Sequence, residues 1–144
     1  MSERPIDRLM ERVRKAELPT RDALQTADVA AVEKGRDPAF EGRWQRVYDR
    51  VNAREKEKGL PDADKDLVDR VRERVYLAVW DATDDPQLSA YASDDFDLFA
   101  RAVALGVEDG WLAALAFEYR QGKFPAGSIQ EQNDVDVASA LGVR

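Results

Sequence analysis

The run from Gly110 to Tyr119, with the sequence GWLAALAFEY, constrains the fold of this chain more than any other feature. Seven consecutive residues in it, Trp111 to Phe117, are apolar. Two acids precede the run and a Gly-Lys-Phe-Pro segment follows it, which is typical of the beginning and the end of a helix. A helix that is apolar nearly all round must be covered on most of its sides. We therefore predict that this helix lies at the centre of the core.

The chain contains neither cysteine nor histidine. Disulfides and thiolate nucleophiles are therefore excluded, and so is any catalytic pair in which histidine activates serine or cysteine. No phosphate-binding glycine loop, nucleophile elbow or dinucleotide-binding fingerprint occurs in the sequence. Catalysis would have to rest on carboxylates, lysine, arginine or tyrosine. The composition thus argues against an enzyme, and we expect no cofactor.

The 144 residues suffice for one domain that buries about two-thirds of its unfolded surface. The first ten residues, MSERPIDRLM, contain no apolar signal segment, and no stretch approaches the ~20 apolar residues of a membrane span. The net charge of -7 disfavours nonspecific binding to nucleic acids and to anionic membranes. We expect a cytoplasmic protein that binds neither nucleic acid nor membrane, and the sequence leaves its oligomeric state open.

The negative charge lies in the second half of the chain. Residues 1–75 contain 18 Lys and Arg and 17 Asp and Glu, which gives a net charge of +1. Residues 76–144 contain 4 Lys and Arg and 12 Asp and Glu, which gives a net charge of -8. A partner attracted by this charge would be basic and would bind the second half.

The helical spacing of apolar residues predicts a first helix between Ser2 and Glu17. Thr20 is a good N-cap for the next helical region, which extends to Lys34. The apolar face of this region consists mostly of alanine. The sequence therefore leaves open whether the region forms one helix or two short ones.

Two long helices are predicted in the middle of the chain. Asp37 and Pro38 form a strong start signal for the first, which extends over about 20 residues. After a tight turn, the second extends from Asp62 to Asp81, so the pair forms an antiparallel hairpin. The end of the second helix, residues 75–80 (VYLAVW), is apolar on every side and equally fits a buried strand. We choose a helix because no breaker interrupts the pattern before this run.

Three further elements complete the second half. Gln87 to Tyr91 is predicted as a single helical turn, and Ser93 as the N-cap of a separate helix that packs beside the central one. The end of the chain is polar and short of large apolar residues. We therefore predict a helical domain of residues 1–124 and a loosely ordered C-terminal tail of residues 125–144, with one short turn near 137–141.

These elements predict an all-α fold, a single-domain helical bundle of about five or six helices with a long antiparallel hairpin. The hairpin, residues 38–81, packs against a helical pair, residues 94–121, and the N-terminal helices complete the bundle. We expect the two fully apolar runs, residues 75–80 and 111–117, to meet at its centre.

The candidate partner-binding residues are acids at predicted turns and helix starts of the second half, together with one aromatic residue in a predicted connection. They are Asp84, Asp85, Tyr91, Asp94, Asp95, Asp97, Glu108 and Asp109. Carboxylates of one sign attract basic partners and speed association. They therefore indicate a noncatalytic protein-interaction module, such as an inhibitor, an immunity-type protein or a small regulatory protein, that presents an acidic surface to a basic protein partner.

The same acids allow an alternative, a divalent-metal-binding domain or a metal-dependent carboxylate enzyme. Their spacing matches no calcium-binding loop, and each acid is already explained by a turn or by the favourable field at a helix N-terminus. We therefore predict no specific metal ligands.

Overall fold

A computed structural model of the chain describes residues 3–144, and in this range it contains eight α-helices and no strand. The helices are α1 (Pro5–Arg14), α2 (Arg21–Gln25), α3 (Val29–Gly35), α4 (Pro38–Lys58), α5 (Asp62–Thr83), α6 (Pro86–Leu105), α7 (Gly110–Gln121) and α8 (Val137–Leu141). They form a single domain, which confirms the predicted all-α bundle with a higher number of helices. None of these helices is long and apolar enough to cross a membrane.

The N-terminal part of the bundle begins with α1, whose predicted start at Ser2 lies outside the described residues. Thr20 caps α2 by accepting a hydrogen bond from the backbone N–H of Ala23 at 3.2 Å. Asp28 caps α3 in the same way through the N–H of Ala31, also at 3.2 Å. Of the two alternatives that the sequence leaves open, two short helices is therefore the correct one.

The two long helices, α4 and α5, are both present, but their main contacts are not with each other: α4 packs on α6, and α5 packs on α6 and α1. Asp37 accepts a hydrogen bond from the N–H of Phe40 at 3.0 Å, and Pro38 occupies the first helical position of α4. Gly59 ends the helix with a φ of 79°, a left-handed value that glycine adopts at little cost. The short turn that follows leads directly into α5.

The helix α6 differs from the prediction, because it is one continuous helix and not a turn followed by a new helix at Ser93. Asp85 caps it by accepting a hydrogen bond from the N–H of Leu88 at 2.8 Å. The hydroxyl of Ser93 lies inside the helix and donates to the backbone carbonyl of Arg72 on α5 at 3.1 Å. The reason for the difference is that Asp85 precedes a proline, the same start signal as in α4, and no breaker interrupts the 20 residues of α6.

Because α6 is continuous, three predicted site residues have a different physical role from the expected one: Asp94, Asp95 and Asp97. They lie in the middle of α6 and not in its first turn. The field of the helix dipole acts only within the first and last turns, so it does not stabilise their charges. Each of them has an arginine partner instead: Arg72 for Asp94, Arg36 for Asp95 and Arg101 for Asp97.

The core is centred on α6 and α7. Every residue from Trp111 to Ala116 on α7 is buried, as the apolar run predicts. The helix α6 buries a longer series of residues and packs against α1, α3, α4, α5 and α8. The central element of the bundle is thus a pair of helices, one mostly apolar and one that also carries buried polar groups.

The apolar run at the end of α5 is only half covered. Val75 and Val79 are fully buried, whereas Leu77 is 49% exposed and Trp80 is 38% exposed. The prediction that this whole run lies at the centre of the bundle is therefore wrong. The run is only half covered because α5 packs mainly on α6 and α1, which cover one side of the helix.

The residues after Pro125 return along the bundle. They form no helix until α8, which packs against α7. The buried residues in this last part are Val137, Ala140, Leu141 and Val143. The end of the chain is thus more closely packed than its polar composition indicates, because its few apolar residues are covered. The division into a domain of residues 1–124 and a loosely ordered tail stays a prediction.

Because Leu115 on α7 is completely buried, replacing it with alanine removes apolar contacts and leaves a cavity. We expect Leu115→Ala to lower the free energy of unfolding by about 2–5 kcal/mol in denaturant titrations followed by circular dichroism. The matched control is Leu77→Ala on the half-exposed side of α5, which should lower it by about 1 kcal/mol. Equal losses in the two variants would contradict the assignment of α7 to the core.

Candidate functional site

Inside the bundle, the carboxylate of Asp95 accepts hydrogen bonds from three side chains. One oxygen accepts from Nη1 of Arg36 at 3.2 Å and from the indole N–H of Trp44 at 2.9 Å. The other accepts from Nη2 of Arg36 at 2.6 Å and from the hydroxyl of Tyr119 at 2.6 Å. Asp95 has no exposed surface, and the side chain of Arg36 is 2% exposed. The arrangement is a buried ion pair whose carboxylate is fully hydrogen-bonded.

The guanidinium group of Arg36 makes a second set of contacts. Its Nε donates to the backbone carbonyl of Pro125 at 3.1 Å. Its central carbon lies 4.6 Å from the ring centre of Phe40, 4.7 Å from that of Tyr91 and 5.6 Å from that of Phe124. At these distances the positive charge is attracted by the aromatic faces, and the attraction is stronger away from water. Arg36 thereby connects α4, α6 and the segment after α7.

The cluster also determines the charge states of its members. Burial raises the pKa of Tyr119 well above its ordinary value, and the Asp95 carboxylate raises it further, so Tyr119 is a neutral donor. Burial by itself would lower the pKa of Arg36, but the charge of Asp95, the neighbouring Tyr119 and the hydrogen bonds to both together outweigh burial, and the pKa lies above its ordinary value. Because the pKa shifts keep Tyr119 neutral and Arg36 charged, the two groups stabilise the fold and do not exchange protons with a substrate. Asp95, one of the predicted partner-binding residues, is fully buried and has no surface with which to contact a partner.

Three other predicted residues lie near the line where α5 and α6 meet. Asp84 and Asp85 form the turn between the two helices, and Asp85 also caps α6. Asp94 forms an ion pair with Arg72 of α5 at 3.0 Å. Burial raises the pKa of Asp94, and the neighbouring charge of Arg72 opposes this shift. These three carboxylates are at least partly exposed, so a partner protein can reach them.

Two further predicted residues are engaged in intramolecular contacts. Tyr91 is half-buried and lies against the guanidinium of Arg36. Asp97 accepts two hydrogen bonds from Arg101, at 2.7 and 3.1 Å, and Arg101 also donates to Asn52 of α4 at 2.6 Å. Both residues thus contribute to the packing of α6 against its neighbours.

The last two predicted residues, Glu108 and Asp109, border an open cleft of about 720 Å³ between the start of α7 and the segment before α8. The carboxylates of this acidic cleft are Glu108, Asp109, Glu131, Asp134 and Asp136. Three of the five are paired with arginines: Asp109 with Arg50 at 3.0 Å, Asp136 with Arg144 at 2.7 Å, and Glu131 with Arg43. The acidic cleft therefore presents less unpaired charge than its composition indicates.

A second acidic surface runs along the outer side of α5. Its residues, which we call the α5 stripe, are Asp69, Glu73, Leu77, Trp80 and Asp84, and all five are exposed. The first four are spaced by four, four and three positions and lie on one face of the helix, and Asp84 directly follows the last helical residue, Thr83. Within residues 3–144, none of the three acids of the stripe forms an ion pair. A shallow hollow of about 350 Å³ lies beside the stripe, between α5 and α6, and is also lined by Tyr76, Arg72 and Ser93.

The α5 stripe is not expected when residues 75–80 are assigned to the core on the ground that they are apolar. The spacing of the neighbouring charged residues nevertheless indicates that this side of α5 is exposed. Asp69 and Glu73 precede Leu77 on the same helical face, and Asp84 follows Trp80 at the end of the helix. A face with charged residues on both sides of its apolar ones cannot enter a core without burying those charges. Of the eight predicted site residues, only Asp84 belongs to the stripe.

The predicted acids do not converge at one point. Because α6 is a continuous helix, it separates Asp85 at its start from Glu108 beyond its end. Nowhere in residues 3–144 do three carboxylates come together in an arrangement that could hold a metal ion.

Comparison with known proteins gives one match. A family model described as Immunity protein PIM1 matches residues 8–126. The matched range contains all of α2 to α7, and with them the Arg36–Asp95 pair and the α5 stripe. No curated protein and no solved structure matches the chain.

Replacing Asp95 with asparagine would leave the buried guanidinium of Arg36 without its counter-charge. We expect Asp95→Asn to lower the free energy of unfolding by about 3–5 kcal/mol, as measured in denaturant titrations. The control is Asp94→Asn, which breaks the half-exposed pair with Arg72 and should cost less than about 1 kcal/mol. A small effect of Asp95→Asn would show that the buried pair does not hold the helices together.

The raised pKa of Tyr119 predicts a loss of stability at alkaline pH. An unfolded tyrosine ionises near pH 10, whereas folded Tyr119 keeps its proton, so its contribution to stability is complete below about pH 10 and is lost as the pH rises further. Tyr119→Phe has no such proton to lose. The difference in unfolding free energy between wild type and Tyr119→Phe should therefore shrink above about pH 10. A difference that stays constant would mean that Tyr119 ionises as easily in the folded state as in the unfolded state.

Proposed function

The chain belongs to the immunity protein PIM1 family, and from this premise we propose that it is a noncatalytic protein that neutralises a toxin by binding it. Binding is sufficient for such a role, because a protein that covers the working surface of a toxin needs no catalytic group of its own. The sequence, which has neither histidine nor cysteine, suits a role without catalysis. The family match is the observation that carries this proposal.

The charge of the chain supports a basic toxin as the partner. Its net charge is -7, and the second half is the acidic part. A field of one sign raises the association rate of an oppositely charged protein and repels partners of the same sign. Fast association suits a protein that has to bind its toxin before the toxin acts.

The exposed carboxylates at the junction of α5 and α6 support this region as the toxin contact. The three acids of the α5 stripe make no ion pair within residues 3–144, and Asp85 and Asp94 from the predicted set lie beside the stripe. A toxin that binds at the acidic cleft would instead have to replace existing arginine partners at most of its carboxylates. We therefore propose the α5 stripe as the contact and use the acidic cleft, with Glu108 and Asp109, as the comparison surface.

The proposal is tested by co-expressing this chain in bacteria with toxin domains encoded in the same genome. We expect the chain to restore growth against one of them and to form a one-to-one complex with it. Neutralisation of none of the toxins would contradict the proposed function. Neutralisation at far less than one molecule per toxin would contradict it as well, because turnover of that kind requires an enzyme.

Neutralising the acids of the α5 stripe should slow the binding of that toxin. We expect the triple variant Asp69→Asn, Glu73→Gln, Asp84→Asn to lower the association rate at low salt about tenfold or more, measured by stopped-flow fluorescence. Asparagine tolerates the left-handed backbone at position 84, where φ is 55°, so the fold should be kept.

The matched control changes two carboxylates of the acidic cleft, as Glu108→Gln with Asp134→Asn, and should leave the rate nearly unchanged. High salt should reduce the difference between wild type and the triple variant. A larger effect in the cleft variant would move the contact from the α5 stripe to the acidic cleft.

A further inference from the structure

We propose that Leu77 and Trp80 form the apolar anchor of a docking surface on α5, and that this surface receives a basic protein with an apolar projection framed by lysine or arginine. The identity of that protein as a toxin rests on the proposed function. The anchor itself rests on the exposure of the two side chains, on the charges around them and on the support of the helix that carries them.

The two side chains are exceptions to the burial of large apolar residues. Only three large hydrophobic residues in the range 3–144 are exposed, and Leu77 and Trp80 are two of them, three positions apart on one helical face. Tyr76, whose ring is half-buried, directly precedes Leu77 in sequence, and both Tyr76 and Leu77 line the hollow between α5 and α6. Tryptophan and tyrosine supply much of the binding energy at protein interfaces, because their large rings gain most when a partner removes water from them. Two exposed apolar side chains beside a hollow thus provide a surface into which a partner can pack.

Acids outnumber bases around the anchor, where the exposed Arg74 is the nearest base on α5, three positions before Leu77. Glu73 lies one helical turn before Leu77, and Asp84 lies about one turn after Trp80. Asp81 follows Trp80 directly and is also exposed. Within the described part of the chain, none of these three acids is in an ion pair. An apolar centre inside a charged rim is the usual anatomy of a protein–protein interface, and the negative rim selects a basic partner.

The same charges disfavour two other occupants of the surface. A second copy of this chain would bring the rim acids of both copies together, and an anionic membrane would meet them with charge of the same sign. A protein with basic residues around an apolar projection satisfies both parts of the surface at once. This is the one occupant that the arrangement of charges favours.

The surface is also held in place before any partner binds. Arg4 donates to Asp64 near the start of α5 at 2.8 Å, and Arg72 in its middle pairs with Asp94 of α6. On the inner side of the helix, Val71, Val75 and Val79 are fully buried. Because the helix is already ordered, binding of a partner costs little conformational entropy, and most of the contact energy of the anchor contributes to the affinity.

The test uses the toxin that the growth assay identifies and the double variant Leu77→Ser, Trp80→Ser. We expect the variant to bind that toxin about 30-fold more weakly or worse by isothermal titration calorimetry, since two central aromatic and aliphatic contacts are lost. Half or more of each side chain is covered, so the variant should melt at a lower temperature than the wild type but remain folded at the temperature of the titration, which circular dichroism checks. The matched control is Val135→Ser, which changes the third exposed apolar residue, located at the acidic cleft, and should leave the affinity unchanged.

The outcomes separate this inference from the proposed function. If the toxin is neutralised but the double variant binds as tightly as the wild type, the anchor is overturned and the proposed function stands. If sedimentation shows a dimer of the wild type that the double variant cannot form, the occupant is a second copy and the proposed basic partner is overturned.

If no toxin is neutralised, the proposed function fails and a pair of synthetic helices decides on the anchor. One helix has a leucine face bordered by lysines, and the other has glutamates in place of the lysines. We expect only the first to shift the backbone amide signals of residues 69–84 in NMR titrations, and to lose this effect with the double variant. Binding of neither helix, or equal binding of both, would overturn the anchor.

Discussion

The fold depends on the buried ion pair between Arg36 and Asp95. Removing two charges from water costs several kcal/mol for each, and the pair is tolerable only because Trp44, Tyr119 and the carbonyl of Pro125 complete its hydrogen bonds. A packing that buried one of the two charges without the other would be strongly unfavourable. Apolar burial on α6 and α7 thus supplies the stabilising energy, while the ion pair makes one arrangement of the helices far more favourable than its alternatives.

The acids of the chain have three separate physical roles, although they contribute equally to its net charge. Asp95 belongs to the core, and several others cap helices, as Asp85 does for α6 and Asp109 for α7. The acids of the α5 stripe have neither role and face solvent without an ion pair in the described range. Net charge therefore indicates the sign of a partner, whereas only the structure distinguishes acids that are available to it from acids that hold the fold.

The features that can be predicted from the sequence are those that depend on interactions between residues close together in the chain. The N-cap at Asp37 with its proline, and the glycine that ends α4, are interactions within one turn of the chain, and the sequence places them correctly. The role of Asp95 depends on Arg36, which is 59 positions away, and no pattern around either residue shows that they meet. The exposure of Leu77 and Trp80 has the same origin, because an apolar run does not specify which of its sides another helix will cover.

The distance in sequence between the partners of Arg36 also bears on how the protein is made. A ribosome releases residue 36 well before Tyr119, Phe124 and Pro125, the last of which lies 89 positions further along the chain. Until they emerge, the Arg36–Asp95 pair lacks part of its hydrogen bonding and its aromatic cover, so the cost of burying the two charges is not fully offset. The bundle can therefore complete its native packing only after residue 125 has left the ribosome, and the early helices cannot bury Arg36 in its final surroundings before then.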